Sequence, residues 1–325
     1  MTTTKGEEGM TDLRVVVIAG GLSPEREVSQ KSGAQVADAL RRVGVEVDLR
    51  DVGTDLLPAL ADASGAVAFP VLHGTAGEDG TIKEILELAG VPYVGARPGA
   101  CRAAFDKAVA KEAFARAGLV TPASVTLPKE AFHDLGAAAL TGRIIERLGL
   151  PLFVKPRAGG SAFGVSRVDA AEQLPEALMA CFAYHDEALI ERLVTGTEIA
   201  IGVADLGEGP FALPPVEIVA EGLYDYTARY TPGAVEFHHP ARIPPAAAEE
   251  AARVALAAHR ALGLRDLSRT DAIVTGDGKV VILETNVAPG MTLTSTYPMA
   301  LEAAGLGFGD FCRDLASAAE HRHRS

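Results

Sequence analysis

The chain has 325 residues, 48% hydrophobic and 22% charged, which a prior of about 150 residues per domain reads as roughly two packed units. A net charge of −13 repels phosphate backbones and anionic bilayers and argues against nucleic-acid or membrane partners. No apolar run reaches the length of a membrane span, residues 1–12 read as a polar disordered tail without a secretory core, and Cys101, Cys181 and Cys312 lie far apart without C-x-x-C spacing, so a cytoplasmic, reduced protein is expected.

In chain order, Arg14 to Ala19 reads as a short buried strand ending in Gly20-Gly21. Glu27 to Arg42 has helical apolar spacing, with Ser23 as an N-cap candidate that leaves Glu25 near the helix N-terminus. Then follow a strand (Val45 to Leu49), a helix (Asp55 to Ala61), a strand (Ala66 to Val71) and a helix (Ile82 to Ala89). This alternation predicts a doubly wound parallel sheet over 13–97. A helix from Pro98 to about Ala117 marks a boundary. In the middle, the strand Leu152 to Lys155, a Gly-rich loop and the strand Gly164 to Val168 form strand–loop–strand, without the helix that a dinucleotide motif requires. A helix (Ala170 to Tyr184), a strand (Ala188 to Arg192), further strands from Glu198, an Ala-rich helix (Pro245 to Leu262), a hairpin (Arg269 to Asn286) and a helix (Phe308 to Ala319) complete the reading, with His321 to Ser325 expected to be disordered.

The hairpin is the most informative segment. With Asp277-Gly278 as a two-residue type I′ turn, Arg269 opposes Asn286, Asp271 opposes Glu284, Ala272 opposes Leu283, Ile273 opposes Ile282 and Val274 opposes Val281. Asp271, Glu284, Asn286 and Arg269 then share one face at the open end. Directly opposed carboxylates repel unless a cation intervenes, and a hard divalent ion such as Mg²⁺ suits Asp, Glu and Asn oxygens. Arg269 alone neutralising that face is the competing reading. Lys155 and the glycines up to Gly164 suit a phosphate-cradling loop, since successive N–H groups form an anion nest. There are only eight lysines among 30 basic residues, which singles out Lys107 and Lys155. His73 ends a strand at the carboxyl edge of the sheet, where ligands bind open α/β folds; a hydrogen-bonded loop histidine is the alternative.

Taken in order, Gly20 to Ser29 (GGLSPEREVS), Leu72-His73-Gly74 with Gly77 to Gly80, Asp106-Lys107, Val154-Lys155-Pro156, Gly160-Ser161, Tyr224-Asp225-Tyr226 and Glu284 to Thr292 (ETNVAPGMT) resemble the D-alanine–D-alanine ligases of the ATP-grasp superfamily over about residues 13 to 318. The resemblance implies an ATP-grasp fold: an N-terminal doubly wound domain (13–97), then central (98–195) and C-terminal (196–320) domains clamping ATP. It implies that Lys107, Lys155 and Arg229 face phosphates and that Glu191, Arg192, Val194 and Glu198 hold adenine and ribose. Asp271, Glu284 and Asn286 would bind two Mg²⁺ (or Mn²⁺). Glu25 would take the first D-alanine's ammonium, tied to Ser161 and Tyr230; Arg269 and the Gly290 N–H would form an oxyanion hole; Ser295 would take the second carboxylate. The implied activity is ATP-dependent D-alanyl-D-alanine synthesis for peptidoglycan, by a cytoplasmic homodimer. Ser268, Val287, Ala162 and Arg229 stand where the family usually has Gly, Thr, Ser and Lys, which keeps open a divergent ATP-grasp ligase joining other amino acids, for example in antibiotic biosynthesis or self-resistance.

Overall fold

The computed structural model describes residues 13–63, 65–220, 233 and 235–324. Three sheets organise them. The first has the parallel order β2-β1-β3, from β1 (Arg14–Ala19), β2 (Glu46–Asp51) and β3 (Val67–Pro70). Alternate residues of β1 are buried on opposite faces, as expected of a central parallel strand. Val15 and Val17 pack with Val36 and Leu40 of α1 (Arg26–Arg42). Val16 and Ile18 pack with Leu56 and Leu60 of α2 (Leu56–Asp62), a short α3 (Thr75–Glu78) intervening before Ile82 and Leu86 of α4 (Thr81–Leu88) join the same cluster.

α5 (Pro98–Phe105) and α6 (Lys107–Arg116) replace the single helix read from the sequence. Asp106 breaks it: its backbone is extended and its carboxylate caps α6 by accepting from the Ala108 and Val109 N–H groups. The second sheet is antiparallel, ordered β4-β7-β5-β6, from β4 (Ser124–Pro128), β5 (Leu152–Pro156), β6 (Ser166–Val168) and β7 (Glu187–Arg192). α7 (Lys129–Leu135), α8 (Ala137–Leu148) and α9 (Leu174–Phe182) cover one face with Phe132, Ile144, Leu148 and Leu178. β4, α7 and α8 fall in a stretch the sequence reading left without elements.

The third sheet, also antiparallel, runs β11-β10-β8-β12-β13, with β9 (Phe211–Ala212) on β8 (Thr197–Ala204). β10 (Val216–Ala220), β11 (Val235–His238), β12 (Leu267–Val274) and β13 (Val280–Asn286) complete it. α10 (Pro245–Ala261) buries Ala251, Val254 and Ala258 against Ile199, Ile201, Ala272 and Ile282. The opposite face of β12 carries the odd-numbered residues, Arg269 and Asp271 among them.

Two corrections concern the hairpin. The Thr275 N–H donates to Lys279 O (2.9 Å) and the Gly278 N–H to Thr275 O (2.8 Å), with Gly278 at φ 80°, so the loop has three residues rather than two. Val274 therefore faces Val280, Ile273 faces Val281 and Ala272 faces Ile282, one step from the expected register. A β-bulge at Leu283 then restores the offset, and Asp271 faces Glu284 and Arg269 faces Asn286 as read from the sequence.

α11 (Thr296–Ala303) precedes the last helix, α12 (Phe308–Arg324), which includes residues 321–324 of the segment expected to be disordered. Phe311 and Leu315 join the β1–α1 core, and Arg322 pairs with the buried Asp266 at 2.8 Å. That partner, 56 residues away, holds the last turn in place. Ser23 is not the N-cap of α1; Glu25 occupies that position, while Ser23 Oγ accepts from the Glu25 N–H (3.1 Å) and donates to His73 O (2.9 Å).

Candidate active site

Lys155 ends β5 and the Gly-rich loop follows it. Arg157 anchors the loop, forking onto Asp106 (Nε to Oδ2, 2.9 Å) and reaching Glu187, while the Lys107 N–H donates to Arg157 O at 3.0 Å. Beyond that anchor the backbone is left-handed at Ser161 (φ 52°) and Ala162 (φ 56°), in a turn closed by the Phe163 N–H donating to Gly160 O at 3.3 Å. A Cβ at Gly160 would stand 2.9 Å from Glu25 Oε1, so any larger residue there would require that carboxylate to shift.

A cavity of about 600 Å³ lies between the second and third sheets. Its apolar walls include Phe153, Val165, Val194, Ile273 and Leu283, and its charged groups include Lys107, Lys155, Glu198, Asp271 and Glu284. The bulge in β13 is what lets Leu283 and Glu284, consecutive in sequence, both face this space. Glu191 also lines it, but its carboxylate is engaged by Lys155 at one oxygen and Lys111 at the other (3.0 Å). Burial opposes the charge of all three groups. For Lys155 and Glu191 the attraction between them wins, keeping Lys155 above and Glu191 below its ordinary pKa, whereas burial wins for Lys111, which is lowered. Arg192 lies exposed at the rim, its guanidinium 3.7 Å from where a Cβ at Gly149 would stand.

A second, smaller pocket of about 60 Å³ is bordered by Ser161, Arg269, Asn286, Gly290, Ser295 and Glu78. Arg269 forks onto Asp271 (2.7 and 2.8 Å) and the Ala288 N–H donates to Asn286 Oδ1 (2.7 Å). Ser295 Oγ accepts from the Thr292 N–H at 3.1 Å, beside Gly290, at the N-terminus of α11. The buried Glu25 carboxylate crowds Gly74, where a Cβ would stand 2.2 Å from Oε2. A narrow cleft of about 30 Å³ joins the two spaces. Lys107, Gly160 and Glu284 border it together with the large cavity, and Glu78, Ser161 and Asn286 border it together with the small one. Of the candidate cation ligands, Glu284 and Asn286 thus stand at the junction, while Asp271 faces the large cavity. Two opposed carboxylates and a carboxamide form a hard oxygen set, and each Asp271 oxygen keeps a lone pair beyond its bond to Arg269, so a divalent ion fits the donors present.

Several groups lay outside the site read from the sequence. Burial, reinforced by Glu25 and Glu284, pushes Glu78 up to about 8, so it is protonated near neutrality. Burial likewise holds His73 down to about 4. Its Nδ1 lies 3.1 Å from Ala288 O, which can only accept; Nδ1 therefore carries the proton and Nε2 accepts from Ser32 Oγ at 3.4 Å. His73 thus ties the first sheet to the segment bearing Gly290, and it is both hydrogen-bonded and on the border of the small pocket. Lys111 had no distinguishing pattern beyond the scarcity of lysine. Arg229 and Tyr230 lie outside the described residues, as does Tyr224-Asp225-Tyr226.

Residues 113–317 match a family profile described as D-ala D-ala ligase C-terminus, and residues 57–96 match one described as D-ala D-ala ligase N-terminus. Over 310 residues the chain is 40% identical to the D-alanine--D-alanine ligase of Anaeromyxobacter dehalogenans, covering 95% of this chain and 97% of that one. It is 38% identical to the Bordetella avium enzyme of the same name, covering 92% of each. Among solved structures, the Bacillus anthracis D-alanine--D-alanine ligase complexed with ATP superposes with a TM-score of 0.81 at 28% identity, over 96% of this chain and 99% of that one. The VanG D-Ala:D-Ser ligase from Enterococcus faecalis superposes with the same TM-score and identity, over 95% and 100%.

Proposed function

The chain belongs to the D-alanine–D-alanine ligase family, ATP-dependent enzymes of ATP-grasp fold, and on that premise we propose that it joins two D-alanines through an acyl phosphate, in the cytoplasm and as a homodimer, to supply peptidoglycan synthesis. The observation that carries this is the junction: two lysines and a hard-oxygen set stand where a large cavity meets a small polar pocket. The division into 13–97, 98–195 and 196–320 belongs to the same proposal, each part contributing one wall.

ATP occupies the large cavity, its adenine and ribose against Glu191, Arg192, Val194 and Glu198, its phosphates toward Lys107, Lys155 and, by the family resemblance, Arg229. Asp271, Glu284 and Asn286 would hold Mg²⁺ or Mn²⁺, which when bound neutralises charge on the transferring phosphoryl group. Glu25 receives the ammonium of the first D-alanine, with Ser161 and Tyr230 supporting it, and so points that substrate's carboxylate at the phosphoryl group. Ser295 fixes the second D-alanine's carboxylate so that its free amine attacks the acyl phosphate: the C–N bond forms, the acyl C–O bond breaks, inorganic phosphate leaves and the amine's proton is lost to solvent. Arg269 and the Gly290 N–H meet the oxyanion of the tetrahedral adduct, donors of a kind worth about 2.7–4 kcal/mol each.

The deciding experiment is ADP release from the purified protein across D- and L-amino acids, with products identified by mass. D-alanine should be the preferred donor and acceptor, D-serine weaker, and D-lactate poor. A product that pairs D-alanine mainly with D-serine or D-lactate, or activity confined to L-amino acids, overturns the substrate assignment.

A further inference from the structure

Glu191 is 1% exposed, yet two ammonium groups hold it, one on each carboxylate oxygen. Lys155 lines the large cavity. Lys111 does not: it sits on α6, which packs against β13, and it is 8% exposed with its Nζ on Glu191 Oε2. Lys155 is also drawn by Glu284 and Glu198, so Glu191 shares that ammonium with other carboxylates, while burying a second ammonium on Lys111 costs desolvation. The arrangement is explained if one of the lysines is needed elsewhere during turnover.

We propose that Lys111 is a positioning residue: the fixed counter-charge of Glu191, which lets the Lys155 ammonium turn to the nucleotide phosphates without leaving a buried carboxylate unpaired. The assignment rests on reading the large cavity as the ATP site. Without Lys111, Lys155 must serve either Glu191 or the phosphates, because breaking its pair with Glu191 strands a charge away from water. With Lys111 in place, Glu191 keeps a charge-assisted hydrogen bond whichever way Lys155 points. The repulsion between the two lysines, part of what lowers Lys111, also favours moving Lys155 away once a phosphate offers a better partner.

The test compares Lys111→Met, which removes the charge, with Lys111→Arg, which keeps it. Affinity for adenosine and for a non-hydrolysable ATP analogue with Mg²⁺ is measured by calorimetry, and KM for ATP, KM for D-alanine and kcat by ADP release. In Lys111→Met, affinity for the analogue should fall about 30-fold and KM for ATP rise in step, the equivalent of roughly 2 kcal/mol for an uncompensated buried charge. Adenosine affinity should fall severalfold less than that of the analogue, because Glu191 faces the adenine but adenosine does not draw Lys155 off it; KM for D-alanine should stay unchanged, and Lys111→Arg should restore analogue binding. Should Lys111→Met not accumulate as folded protein, Lys111→Gln carries the same expectation, since it keeps a donor without the charge. Equal losses for adenosine and the analogue, or no loss for either, overturn the proposal and leave Lys111 a structural lysine. A wild-type protein that binds adenosine and the analogue at no measurable affinity overturns instead the reading of the cavity on which it rests.

Discussion

Lys107 and Glu284 form an ion pair, Nζ to Oε2 at 3.3 Å, so that a lysine proposed to face phosphate and a carboxylate proposed to hold metal neutralise each other. Lys107 also donates to Gly159 O at 2.7 Å, which fixes it against the Gly-rich loop. Across the hairpin Asp271 has its own cation in Arg269. The repulsion expected between Asp271 and Glu284 from sequence is therefore offset by a separate cation on each.

Glu284→Gln should accordingly cost about 100-fold or more in turnover while changing stability by only about 1 kcal/mol, and the change should be a loss rather than a gain. Lys107 loses its carboxylate, and no relief of repulsion offsets that. Thermal melts without ligand, set beside ADP release, check both halves; a variant turning over near the wild-type rate removes Glu284 from the metal set.

Asp106 caps α6 and holds Arg157, two tasks that one substitution separates. Asn is as good an N-cap as Asp but cannot form the charged fork. Asp106→Asn should cost about 1 kcal/mol and raise KM for ATP severalfold with little change in KM for D-alanine, because the Gly-rich loop loses its anchor. Steady-state kinetics with each substrate varied in turn would show it. An equal rise in both KM values would mean that the anchor serves the whole cleft.

Arg322→Ala, or truncation after Ala319, should destabilise the protein by about 2 kcal/mol. Asp266 is 1% exposed and would keep only the Gly95 N–H, at 2.7 Å. The figure sits below that for a fully buried pair because the Arg322 side chain is 34% exposed. Urea unfolding of both variants measures it, and a truncated chain as stable as the full one would make the last turn of α12 dispensable.

His259 on α10 bonds Ser268, the neighbour of Arg269, through Nδ1 at 2.8 Å, and burial holds it down to about 4. A histidine depressed in the folded state contributes stability that is complete above its unfolded pKa near 6.5 and is lost as pH falls toward 4. His259→Gln removes that dependence. Its cost should be largest at pH 7 and shrink by roughly 1–3 kcal/mol by pH 4.5. Unfolding free energies of the two proteins at four pH values decide it; a constant difference would mean that His259 does not titrate between the states.

What the sequence by itself determined here was local and periodic. Alternation of period two put Arg269, Asp271, Glu284 and Asn286 on one face, and the β–α alternation of the first hundred residues carried the parallel sheet. Even so, the correct pairing at the open end of the hairpin arose from two unread deviations, a three-residue loop and a bulge at Leu283, whose one-residue offsets cancel. Tertiary structure alone decided the long-range polar partners: the ion pairs Lys111 with Glu191 across 80 residues and Arg322 with Asp266 across 56, and the hydrogen bond of His73 to Ala288 across 215. Burial and pairing across such separations leave no periodic trace, because they depend on which strands become neighbours and which side chains lose water. For the same reason the protonated Glu78 and the doubly held Glu191 became visible only once the three sheets were brought together.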